Sequence, residues 1–254
     1  MIAIAGYGFV GHAVANKFKR HMEIVVVDPK LGPETVSDYA GVTGVVVCVN
    51  TPQSSDGSCD YSRIVDVLQT VSSEIPVVIK SAVDLDGVVA IKKQFSDHAI
   101  TYSPEFLRQD TADEDFENQD FVIFGGGNQN FWKKIWHTAF GEIECYFVSD
   151  IEASIVKYAE NSYLAMKVSF FNQLYDLCKQ VNADFDSVRE SLCRDTRINS
   201  DHSYVTEQRG WGGHCFPKDT AAMVKLCRDK GVPFTLIEES IAYNKQIRKQ
   251  REDK

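Results

Sequence analysis

Of the seven cysteines in the 254-residue chain, one has neighbours that could make it a nucleophile. Cys215 stands in Gly212-Gly213-His214-Cys215-Phe216-Pro217-Lys218-Asp219, where the paired glycines let a substrate approach the backbone. Pro217 suits the first turn of a helix. The sequence therefore places Cys215 immediately ahead of a helix over 218–230, whose positive end favours the thiolate. Lys218 and Asp219 add a cation and a carboxylate within one turn of the sulfur, enough for charge stabilisation and proton handling. Cys48 and Cys145 fall in apolar runs and read as core, while Cys59, Cys178, Cys193 and Cys227 lack both the glycines and the flanking charges. An odd count with no Cys-x-x-Cys pair argues for reduced thiols rather than a disulfide framework or a structural zinc site.

A second segment, Gly6-Tyr7-Gly8-Phe9-Val10-Gly11, lies between a short apolar run and a helical stretch. Three glycines at this spacing allow a tight turn, close approach of backbone N–H groups to a pyrophosphate, and close packing of helix on strand. Asp28, at the end of the next apolar run, can accept hydrogen bonds from an adenosine ribose and would repel an added phosphate. That selects NAD over NADP, although Lys30 is a nearby cation that could accommodate a phosphate.

Lys157 and Asn161 are one helical turn apart, and with Leu164 and Val168 on the same side they interrupt an apolar stripe; such a pair needs solvent or a ligand. Tyr102-Ser103-Pro104-Glu105-Phe106-Leu107-Arg108 ends an expected strand on the edge where ligands bind in doubly wound sheets. His12, His21, His98, His137 and His202 show no ligand spacing, so no metal is expected.

The elements that must position these residues change character along the chain. Apolar runs at 1–6, 24–27, 45–49, 77–80, 100–102, 121–124 and 145–148 alternate with helical patterns such as 62–73 and 129–139. They predict an α/β, Rossmann-like doubly wound parallel sheet covered on both faces. From Ser149 the strands disappear. Ser149 and Glu152 have capping-box spacing ahead of a helix reaching about Val181, followed by helices near 185–194, 218–230 and 233–249. The expected division is 1–148, a dinucleotide-binding domain, and 149–254, an all-helical domain. A net charge of −9 argues against nucleic acid as the main ligand. No apolar run reaches the length of a membrane span, and Met1 leads directly into Ile-Ala-Ile-Ala, leaving no room for a signal peptide; a cytoplasmic protein is expected.

These segments, with Val49-Asn50-Thr51-Pro52 between them, occur in the order seen in the UDP-glucose/GDP-mannose dehydrogenases, and the chain resembles that family over nearly its whole length. The cysteine segment is the most specific part of the match and the glycine segment the least. The resemblance implies a Rossmann NAD-binding domain and a helical central dimerisation domain, hence a homodimer. It also implies a third, nucleotide-holding domain, for which a chain stopping at Lys254 has no room. The implied activity is the two-step oxidation of a nucleotide sugar's primary alcohol to a uronate, with UDP-glucose the leading substrate, two NAD per product and a role in polysaccharide biosynthesis.

By motif position, Cys215 would form a thiohemiacetal and then a thioester, Lys157 would stabilise the oxyanion and Asn161 would orient it. Asp219 would assist proton transfer and Glu105 would support thioester hydrolysis. Gly6, Tyr7, Gly8, Phe9, Val10, Gly11, Asp28, Lys30, Thr51, Ser81 and Lys218 would hold the cofactor. Glu105, Phe106, Leu107, Lys157, Asn161, Gly212 and Arg197, the last reaching across the dimer, would hold the substrate. Two positions depart from the family pattern: Ala82 stands where a threonine hydroxyl is usual, and Gln109 where a glutamate is frequent. They keep open an alternative, a catalytically weak NAD- or sugar-nucleotide-binding partner or regulatory protein.

Overall fold

The computed structural model describes residues 1–32, 34–213 and 215–252, and it divides into two compact units, Met1–Lys157 and Tyr158–Lys254. In the first, strands and helices alternate as β1 (Ile2–Ala5), α1 (Phe9–Phe18), β2 (Ile24–Val27), β3 (Gly44–Val47), α2 (Ser62–Gln69), β4 (Val77–Ile79), α3 (Leu85–Gln94) and β5 (Ile100–Tyr102). There follow α4 (Ala112–Glu117), β6 (Phe121–Gly126), α5 (Gln129–Phe140), β7 (Glu144–Val148) and the start of α6 (Asp150–Gln180). One seven-stranded sheet results, in the order β2-β1-β3-β4-β5-β6-β7.

The central strands β1, β3 and β4 are apolar and buried throughout because both their faces are covered, whereas the edge strand β7 carries Glu144 and exposes Tyr146 and Phe147. Ile2, Ile4, Val46 and Val78 pack with Phe18, Phe116, Trp132 and Trp136, whereas the intervening Ala3, Val45, Val47 and Ile79 pack with Ile64, Leu68 and Ile91. Alternate residues of a strand thus feed two separate cores.

The expectation of a wholly parallel sheet is corrected at one junction, where β5 and β6 are antiparallel. The segment between them carries a single 3-10 turn and the six-residue α4, and Lys17 of α1 and Arg20 just after it both bind Glu117 of α4. Held against α1, α4 does not serve as a crossover, so the chain re-enters the sheet from the edge at which β5 left it.

The second unit is helical among the described residues: the rest of α6, then α7 (Phe185–Leu192), α8 (Cys215–Asp229) and α9 (Thr235–Glu252). The capping box at the head of α6 is formed, with Ser149 N–H donating to Glu152 and Glu152 N–H to Ser149 Oγ. Phe171 and Cys178 of α6 pack against Phe185, and Tyr158 against Ala222 and Met223 of α8.

Helix α8 starts at Cys215, three residues earlier than expected from the sequence. Pro217, expected just ahead of the helix, is its third residue. A proline in the first turn loses an N–H that has no partner inside the helix anyway, so it does not bar the helix from starting upstream. The thiol is therefore carried by the first helical residue.

Candidate active site

At the amino end of the sheet's first crossover, two glycines of the 6–11 segment, Gly6 and Gly11, have distinct reasons to be glycine. Gly6 has φ +94°, and a Cβ there would lie 2.8 Å from Cys48 C and Val49 N. A Cβ on Gly11 would lie 2.0 Å from Gly6 O, so only glycine allows the helix this close to the strand. Gly8 faces open space and is the N-cap of α1, with no side-chain cap. The first-turn N–H groups at Phe9, Val10 and Gly11 have no acceptor within the helix and suit an anion. Tyr7 and Phe9 are exposed beside them.

Asp28 accepts hydrogen bonds from Tyr7 N–H at 2.6 Å and Lys30 N–H at 2.8 Å, so its carboxylate is fixed against the glycine turn. Lys30 takes part through its backbone. These residues fit a dinucleotide: an uncapped helix start for the pyrophosphate and a fixed carboxylate whose remaining lone pairs can meet ribose hydroxyls. Thr51 Oγ1 donates to Ala82 O at 2.7 Å and Ser81 Oγ to Val49 O at 2.6 Å. Both hydroxyls thereby stitch the loop after β3 to the loop after β4, and each oxygen keeps acceptor capacity.

Beyond β5, Glu105 is buried and forms an ion pair with Lys80, also buried, at the end of the neighbouring strand β4. Lys80 Nζ lies 2.9 Å from Glu105 Oε2 without the alignment of a hydrogen bond, and it donates to Ser103 Oγ at 3.1 Å. The other carboxylate oxygen accepts from Phe106 N–H. Sequence reasoning missed Lys80, although a lysine closing the apolar run Val77-Val78-Ile79 is a signal: so buried a cation needs a counter-charge. Phe106 lies under the Lys157 ammonium, 5.1 Å from the ring centre, while Leu107 is half-buried against the aromatic core. Ala82, Tyr102, Pro104, Ser154 and Lys157 line a small cavity of about 10 Å³, room for about one water. Gln109 is exposed in a single 3-10 turn.

In the second unit, Cys215 is exposed and Asp219 lies one turn further along α8, almost wholly buried. Asn161 Nδ2 donates to Asp219 Oδ2 at 2.5 Å, and Lys218 pairs with the other oxygen. The buried side of α6 thus presents Asn161 to a carboxylate, which excludes the solvated-surface reading of that residue. Lys218 also lies over the Tyr158 ring. Asn161, Asp219 and Lys218 form one cluster beside the start of α8.

Arg197 is highly exposed and folds back on Asp195, with Nε 3.0 Å from Oδ1; this hydrogen-bonded pairing holds the Asp195 carboxyl below its usual range. Gly212 runs against the Arg248 guanidinium, where a Cβ would lie 3.0 Å from Nη1. Among the described residues no helix is long and apolar enough to cross a membrane.

Two family models match the chain. Residues 33–139 match the NAD binding domain of the UDP-glucose/GDP-mannose dehydrogenase family, and residues 151–246 match its central domain. The chain belongs to the UDP-glucose/GDP-mannose dehydrogenase family. The first match begins after the glycine segment and Asp28, which lie outside it.

Among curated relatives of that family, UDP-glucose 6-dehydrogenase of Rhizobium meliloti (strain 1021) is 30% identical over 217 residues, covering 79% of this chain and 49% of the relative. A UDP-glucose 6-dehydrogenase of Bacillus subtilis (strain 168) is 29% identical over 214 residues, covering 79% and 48%. The chain spans about half the length of the curated relatives it matches. Of solved structures, a UDP-glucose dehydrogenase from Pyrobaculum islandicum superposes with a TM-score of 0.85 at 25% identity, covering 96% of this chain and 68% of that one. A UDP-D-ManNAc dehydrogenase from Pyrococcus horikoshii shares the fold, with a TM-score of 0.82 at 19% identity and the same coverages.

Proposed function

We propose that the protein oxidises the primary alcohol of a nucleotide sugar, UDP-glucose foremost, to the corresponding uronate with NAD, through an acyl group held on Cys215. Residues 1–148 act as the NAD-binding domain and 149–254 as the helical catalytic and dimerisation domain of a cytoplasmic homodimer. The observation that carries the reading is the exposed Cys215 at the first position of α8 with the buried Asp219–Asn161 pair, joined by the part-buried Lys218, one turn on.

When bound, NAD supplies the hydride acceptor for both oxidation steps. The start of α1 and the Asp28 carboxylate hold the dinucleotide, with Thr51, Ser81 and Lys218 as further contacts. Cys215 sits where a helix's positive end stabilises a thiolate, and the thiolate adds to the aldehyde produced by the first oxidation. The second oxidation leaves a thioester; attack by water forms the new C–O bond and expels the thiolate. Lys157 stabilises the oxyanion at each addition, Asn161 orients it, and Asp219 passes the proton. Glu105 serves the hydrolysis together with Lys80, because a carboxylate at 2.9 Å from a buried ammonium works as half of a pair. Phe106, Leu107, Gly212 and Arg197 contact the substrate, Arg197 from the partner subunit.

The second reading, a binding or regulatory protein with weak turnover, draws on that same Lys80 pairing and on Ala82 and Gln109. NADH absorbance with a panel of UDP- and GDP-sugars separates the two. Two NADH per sugar, abolished by Cys215→Ser, is the expected outcome; NAD binding without reduction on any sugar sinks the dehydrogenase reading.

A further inference from the structure

The second unit contains a polar brace that neither the sequence motifs nor the proposed chemistry uses. Its centre is Trp211, which is buried four residues before Cys215. The Asn244 carboxamide on α9 meets both backbone groups of this residue: Trp211 N–H donates to Asn244 Oδ1 at 2.8 Å, and Asn244 Nδ2 donates to Trp211 O at 2.9 Å. Asn244 is itself buried. The fit is close enough that a Cβ on Gly210 would lie 2.1 Å from Asn244 Oδ1.

The Trp211 side chain is fixed as well. Its indole N–H donates to Ser169 Oγ at 3.0 Å, and Ser169 in turn is bonded to Ser240 at 2.7 Å. The indole ring meets the ring of Phe216, the residue after Cys215, edge-on with centroids 6.5 Å apart. Upstream, Asn172 Oδ1 accepts from Arg209 Nε and Gly210 N–H. In the sequence, Gly212, Gly213 and His214 lie between this anchored stretch and α8, and Gly213 has φ +77° with open space around it. Glycines impose little restraint of their own, so Trp211 bears on the start of α8 through its contact with Phe216 rather than through the intervening backbone.

We propose that Asn244, acting through Trp211, is the positioning residue for the Cys215 thiol. The proposal rests on the reading of Cys215 as the nucleophile. A two-point clamp on the two peptide units that flank one buried residue fixes both the place and the orientation of its backbone. The Trp211–Phe216 contact then carries that placement to the first turn of α8, where the sulfur gains from the helix's positive end.

The test is the reactivity of the thiol, which needs no sugar nucleotide. Carboxamidomethylation of each cysteine by iodoacetamide is followed by peptide mass spectrometry between pH 6 and 9, for the full chain and for Asn244→Ala, Asn244→Asp and Ser169→Ala. Asn244→Ala is expected to slow Cys215 about tenfold at pH 7 and to shift its pH profile, leaving Cys193 and Cys227 unchanged. Asn244→Asp retains the acceptor for Trp211 N–H and falls between Asn244→Ala and the unmodified chain. Ser169→Ala removes the partner of the indole N–H and of Ser240 but leaves both Asn244 contacts in place, keeps the fold if Asn244→Ala does not, and slows Cys215 about twofold.

A Cys215 profile unchanged in Asn244→Asp and Ser169→Ala overturns the proposal. So does equal acceleration of Cys193 and Cys227, which signals general loosening. Absence of NADH formation in the unmodified chain, with the Cys215 response intact, counts against the dehydrogenase reading alone.

Discussion

Lys80 and Glu105 place an ion pair just beyond the ends of β4 and β5, with side-chain exposures of 1% and 8%. Removing ions from water costs several kcal/mol each, and only their mutual attraction and the hydrogen bonds around them offset it. The cost of breaking the pair is therefore larger than the net contribution of having it. Lys80→Met, which leaves the Glu105 carboxylate buried without its counter-charge, is expected to destabilise the first unit by about 3–5 kcal/mol, and Glu105→Gln by a similar amount. The double variant should recover most of that loss, because no uncompensated charge remains. Urea unfolding of the four proteins measures the cycle, and additive losses in the double variant would show that the two side chains act independently. Recovered stability with poor turnover would place the pair's value in chemistry rather than in folding.

At the scale of elements, α6 carries two different faces along one axis. Asn161, Ser169 and Asn172 are buried on it, whereas Tyr163, Phe170 and Leu177 recur every seven residues with exposures of 58%, 56% and 58%. A seven-residue apolar repeat is the spacing at which a second helix can lie along the first. Phe170→Glu is accordingly expected to convert a dimer to a monomer in size-exclusion chromatography with light scattering while leaving the helical signal unchanged. A monomeric unmodified chain, or a dimer that survives Phe170→Glu, removes this face from the interface. Here the sequence was highly legible: the Ser149–Glu152 cap, the length of α6 and the alternation of strands and helices all follow from local patterns. The cluster of Asn161 with Asp219 and the clamp of Asn244 on Trp211 were not legible, because they join residues 58 and 33 positions apart whose pairing depends on packing. The antiparallel β6 was missed for a related reason. Its direction is set by where α4 docks on α1, through Lys17, Arg20 and Glu117, and no periodicity within β6 encodes that. The start of α8 was misplaced because Pro217 marks a helical first turn without fixing its position within the turn.

For the molecule as a whole, 27 basic and 36 acidic side chains give a formal net charge of −9, yet the proposed cofactor and substrate are both anions. Local features must therefore hold what the overall field repels: the uncapped start of α1, Lys30 beside Asp28, and Lys157 and Arg197 in the proposed substrate contacts. The two influences act over different distances. Helix-end and hydrogen-bond contacts operate within a few ångströms, whereas net charge acts over roughly a Debye length, about 30 Å at 0.01 M salt and about 8 Å at 0.15 M. Raising the ionic strength across that range should therefore screen the repulsion felt during approach more than the contacts made after arrival. The association rate of NADH, followed by stopped-flow fluorescence, is expected to rise by about twofold, with a smaller change in its dissociation rate. A fall in the association rate with salt would mean that the positive groups around the 6–11 turn dominate the approach, and that the acidic balance of the chain is confined to surfaces remote from the cofactor's path.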